Sequence, residues 1–151
     1  MTSFHVGTQL VELSGPEILP WIEGASSLLS AKVRALCVCE ALDNTDLMMM
    51  VRVMINNYLF DNDYPPKYLI FLCVAFDRPN FQHYFSMHAG AELRNNVLTF
   101  CIVKAAWPMA ILLMRHHYAE MTAREQLCVR QTYYGIVVTN ENKDFESFFA
   151  L

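Results

Sequence analysis

Residues 97–114 read VLTFCIVKAAWPMAILLM, a run with one charge, Lys104, and one proline, Pro108. Two folds follow from two readings of it. As one helix it is long enough to cross a bilayer, which takes roughly 20 apolar residues. As two helices meeting at AAWP it is the interior of a globular chain. Lys104 near the middle opposes insertion by about 2.5–3.5 kcal/mol. Pro108 steers Trp107 away from helical geometry and suits the first turn of a new helix, PMAILLMRHHYAE. Upstream, Glu92, Asn96 and Thr99 share one face, while Leu93, Val97 and Phe100 share another. Lys104 ends that apolar stripe, where its stem can lie on a core and its ammonium reach water. The pattern predicts two helices and no membrane span.

Working outward, the same excess of apolar residues recurs along the chain. Hydrophobic residues make up 54% of the 151 and charged residues 17%, against roughly 45–50% and about 25% in ordinary soluble domains. The surplus must face lipid or protein. Length suits a single domain spanning 1–151. The net charge of −4 gives no bulk attraction to nucleic acid. Residues 91–138 are mildly basic, with three acids and five bases, which is an ordinary solvated face.

Leu, Met and Ala outnumber Val and Ile, which favours helix over strand. The expected fold is all-α: one compact bundle of about six to eight helices around an apolar central pair, with HVGTQLVEL as a short extended N-terminal segment. Ser14-x-x-Glu17 and Thr122-x-x-Glu125 have capping-box spacing. Between them, ASSLLSAKVRALCVCEAL, DLMMMVRVMINNYLF, FQHYFSMH and AGAELRNNVLTFCIVKAA read as helices, and DNDYPP as a loop. KYLIFLCVAF is too short for periodicity to separate strand from helix, and its helical neighbours favour helix. GIVVTNEN reads as an extended exit and KDFESFFAL as a terminal helix. The central pair is formed by LMMMV and MAILLM, each apolar all round, and such helices are normally enclosed.

Chemistry-bearing motifs are sparse. Cys37 and Cys39 lie two apart on a helix and point about 200° from each other, so they cannot chelate together. His116 and His117 diverge likewise, and His83 and His88 miss the HExxH spacing. The loop at 61–64 lacks the ligand spacing of a calcium loop. No phosphate-cradling glycine loop and no nucleophile motif occurs. The expectation is a non-enzyme with no cofactor and no metal. Five cysteines in apolar runs, Cys37, Cys39, Cys73, Cys101 and Cys128, with no basic-then-apolar leader, suggest reduced thiols in an intracellular setting, cytoplasmic or nuclear.

Helices with more apolar surface than one copy can cover point to assembly. The leading expectation is a self-associating or complex-bound subunit, of the kind that viruses encode, whose partner is itself or another protein. Leu47, Met48, Met49, Met50, Met54, Phe148 and Phe149 are the expected interface or core, the methionines because thioethers adapt to irregular surfaces. A second reading is a monomeric module. A bundle around an apolar helix hairpin resembles the Bcl-2-like architecture, which grips amphipathic helices. NNVLTF does not match that family's Asn-Trp-Gly-Arg signature, so no residues carry over. The third is nucleic-acid binding by Arg115, His116, His117, Arg124 and Arg130 with the tyrosines of 115–134. The acidic total and the preference of cations for helix C-termini favour an ordinary helix end over a binding face there.

Overall fold

The computed structural model describes residues 1–136 and 141–150. Helix dominates them: a two-stranded hairpin is followed by nine α-helices, the ninth four residues long, and two 3-10 turns. KYLIFLCVAF is helical, as its neighbours suggested. The extended exit expected at GIVVTNEN falls largely on 137–140, outside the described residues, as does residue 151. The chain divides into two units, Met1–Phe81 and Gln82–Leu151, and the helix Pro79–His88 (α5) runs across that boundary.

In the first unit, β1 (Thr2–Val6) pairs antiparallel with β2 (Gln9–Leu13), with Phe4 opposite Val11. The expected single extended segment is thus folded back on itself. Gly7 makes this possible: it has φ 63° at the first of two loop residues, a conformation that costs glycine little and matches the twist of a hairpin. Helix α1 (Gly15–Glu23) opens where the Ser14 N–H and Oγ donate to Glu17 Oε1 at 2.9 and 2.6 Å. Its last carbonyls are satisfied from elsewhere in the unit. Arg34 Nη1 donates to Trp21 O at 2.6 Å, and Lys67 Nζ donates to Glu23 O and Ala25 O at 3.1 and 2.6 Å. Two cations therefore sit at the negative end of α1.

Helix α2 (Leu28–Ala41) is capped by Ser27, and α3 (Asn44–Phe60) by Asp43. Helix α4 (Pro66–Phe76) packs against α1, α2 and α3. Phe71, Leu72, Val74, Ala75 and Phe76 on α4 are all buried, so α4 is the central helix of this unit. The two helices expected to form a central pair fall in different units: LMMMV lies on α3 and MAILLM on the second unit's α7.

The second unit contains α6 (Ala91–Val103), α7 (Trp107–His117), a 3-10 turn (Tyr118–Glu120), α8 (Ala123–Ile136) and α9 (Lys143–Glu146), which passes into a 3-10 turn (Ser147–Ala150). The run 97–114 is two helices. Ala105 takes the left-handed conformation at φ 55°. Ala106 N–H then donates to Cys101 O at 2.8 Å and Ala105 N–H to Ile102 O at 3.2 Å. These 6→1 and 5→2 bonds form a Schellman motif with alanine where glycine is usual. The break therefore satisfies the carbonyls it would otherwise orphan, and Pro108 starts α7 where its missing N–H costs nothing. Among the described residues no helix is long and apolar enough to cross a membrane. Helix α6 packs on α7 and α8, and α7 on α9. Met109, Ala110, Leu112, Leu113 and Met114 are buried on α7, as MAILLM implied.

Candidate functional site

Helix α3 is less uniformly apolar in its setting than in its sequence. Leu47, Met48, Val51, Met54 and Ile55 form one buried stripe at i, i+1, i+4, i+7 and i+8. Leu47, Met48 and Met54 thus belong to the core. Met49 is 63% exposed and Met50 lies between. With Met49, Val53 and the 90% exposed Phe60, a second stripe runs at i, i+4 and i+11, interrupted by Asn56 at i+7. Phe60 also borders an open groove of about 430 Å³ with Asn56, Asn57, Tyr64 and Tyr68.

Helix α2 repeats the arrangement. Ala31, Ala35, Val38 and Cys39 are buried at i, i+4, i+7 and i+8. Leu29, Val33 and Leu36 are exposed at i, i+4 and i+7, Leu29 by 74%. Leu28, the first residue of α2, is exposed as well. Helices α2 and α3 of the first unit therefore each bury one apolar stripe and present another. Sequence periodicity showed surplus apolar surface; it could not show which methionines would face outward.

Phe148 and Phe149, the remaining expected interface residues, are half-buried in an aromatic cluster of the second unit. The Phe149 ring lies 5.5 Å from Phe145, 5.8 Å from Tyr133 and 6.0 Å from Tyr118. Trp107 packs on Phe145 at 5.4 Å. At the centre Tyr133 is buried, its hydroxyl donating to Glu146 Oε1 at 2.7 Å and accepting from the Asn142 N–H at 2.9 Å. Burial raises its pKa most; the Asn142 N–H bond opposes this, and the hydrogen bond to Glu146 and then the Glu146 charge add to the rise. The sequence signal for this arrangement is Asn142, whose Oδ1 accepts from Phe145 N as the N-cap of α9.

The five residues grouped as a basic face separate. Arg115 and Arg130 line one cavity of about 310 Å³ with Met114, Tyr118, Gln126 and Phe148. Arg124 lines another, of about 260 Å³, with Asn95, Thr99, Glu125 and the exposed Cys128. His116 is exposed. His117 turns toward Ser86, with Nε2 2.8 Å from the Ser86 carbonyl and 3.3 Å from its Oγ. A carbonyl only accepts, so Nε2 carries the proton and cannot take one from Oγ. The pair ties α7 to α5 and has no activated nucleophile.

Glu125 links two helices. It accepts from the Thr122 N–H at 3.0 Å, while the Glu125 N–H donates to Thr122 Oγ1 at 3.1 Å, completing the predicted capping box. Its other oxygen accepts from Asn95 Nδ2 at 2.6 Å and pairs with Arg94 at 3.3 Å, both on α6. The Asn95 bond, then the Thr122 N–H, hold its carboxyl below the ordinary range. Burial pushes the Cys39 thiol up to about 12, which keeps it protonated at neutral pH. Among the described residues no three His, Cys, Asp or Glu side chains converge as a metal site.

No protein-family model matches the chain, and no curated protein or solved structure shows significant similarity to it.

Proposed function

We propose that the protein is an assembly subunit that associates with copies of itself through the outer stripes of α2 and α3. The observation that carries this reading is the repetition, on two helices of one unit, of an exposed apolar stripe at helical spacing. Isolated exposed apolar residues are ordinary; aligned ones on neighbouring chain segments mark interaction surfaces. A two-fold dimer brings the same patch of both copies together, so an apolar stripe there meets an apolar stripe. Met49 adds an adaptable side chain and Phe60 an aromatic one that can enter a groove such as the one beside it.

Sedimentation velocity over a micromolar concentration series tests this. The chain should run above its 17.4 kDa monomer mass, and the variant Met49→Lys/Phe60→Ser should return it to monomer with an unchanged helical circular-dichroism spectrum. A parent protein that stays monomeric throughout the series rejects the reading. So does an oligomer that the double variant leaves intact.

A further inference from the structure

Independently of those stripes, we infer that the cavity between the end of α7, the start of its 3-10 turn and α8 binds a small organic phosphate. Arg115 lies in the last turn of α7 and Arg130 on α8. The 3-10 turn Tyr118–Glu120 lies between them in the chain, and Gln126 Nε2 ties α8 to it by donating to Tyr118 O at 2.8 Å. Both arginines line the same cavity of about 310 Å³, in a chain whose net charge is −4. No carboxylate lines it, and among the described residues neither arginine has an acidic partner within 4.0 Å.

Arg130 is steadied from the side, with Nη2 donating to Phe149 O at 3.4 Å and its guanidinium 5.5 Å from the Phe149 ring. Those contacts leave other N–H donors of its fork unused. Arg115 stays exposed at the rim. Met114, Tyr118, Ala119 and Phe148 supply apolar and aromatic wall, and Gln126, whose amide is engaged by Tyr118 O, completes the lining. Two cationic forks with flat apolar walls fit a doubly charged phosphate carried on a ring. The volume is at the small end of ligand sites, which run from roughly 300 Å³ upward. A nucleic-acid strand would instead need a track of cations. Here Arg124 lines a different cavity and His117 is held by Ser86, so neither extends the Arg115–Arg130 pair into such a track.

Isothermal titration of the full chain with phenyl phosphate tests the assignment. Saturable binding at one site is expected, stronger than that of inorganic phosphate, with none from phenol. Arg115→Gln should weaken it about tenfold or more, as expected for a lost charged hydrogen bond. Arg115→Lys should lose less, and Arg124→Gln nothing. Circular dichroism checks that each variant remains folded. Three outcomes overturn the proposal: no binding of phenyl phosphate by the parent, equal affinity in Arg115→Gln, or an equal loss in Arg124→Gln. A short RNA that binds more tightly than phenyl phosphate and depends on Arg124 as much as on Arg115 would also overturn it, in favour of a nucleic-acid surface.

Discussion

Tyr133 holds the end of the described chain in place by both functions of one hydroxyl group. Replacing it with phenylalanine preserves the ring packing but leaves the Asn142 N–H and a Glu146 oxygen without their partner. The Tyr133→Phe variant should lose about 1–2 kcal/mol in urea denaturation, with earlier hydrogen exchange at Asn142 and Phe145. Glu125 gives a residue-scale pH prediction. Its folded carboxyl titrates below the ordinary value of 4.5. Its contribution is therefore complete above that value and is lost as pH falls through the depressed folded one. Glu125→Gln should flatten this part of the acid limb of a stability-against-pH curve, while a parent-like acid limb would show that Glu125 is not the group responsible. Glutamine can still accept from Thr122, so helix α8 should persist at neutral pH.

At the scale of elements, the turn between α6 and α7 is the most sensitive joint. An alanine in the left-handed region bears about 1–2 kcal/mol of steric cost. Glycine removes that cost but loses roughly 0.5–1 kcal/mol of chain entropy on folding. Ala105→Gly should therefore stabilise the protein slightly, by under about 1 kcal/mol, and Ala105→Val should destabilise it by more. Chemical denaturation of the pair decides; the reverse order would mean that the turn is not held as described. The break itself was legible, because Pro108 and the position of Lys104 both pointed to it. So were the two capping boxes and the helical nature of α4. The hairpin was not, because Gly7-Thr8 sits inside a short apolar-polar alternation that reads equally well as one strand. Nor was the outward face of α3: when both faces are apolar, the packing partners and not the periodicity choose which face is buried. That Arg115 and Arg130 line one cavity was not legible either, because the 3-10 turn between their helices, YAE, carries no turn signature.

On the scale of the molecule, two kinds of surface predict opposite responses to salt. Association through Met49, Val53, Phe60 and the α2 stripe is apolar, so added sodium sulfate should leave the oligomer intact or strengthen it. Binding of phenyl phosphate at Arg115 and Arg130 is ionic and should weaken in the same series. The Schellman turn has a further consequence at this scale. Helices α6 and α7 have 13 and 11 residues, each below the roughly 20 that span a lipid bilayer. Joined without interruption, the same side chains would exceed that length. The backbone path of Lys104, Ala105 and Ala106 thus divides a bilayer-length set of side chains into two helices that are each too short to span.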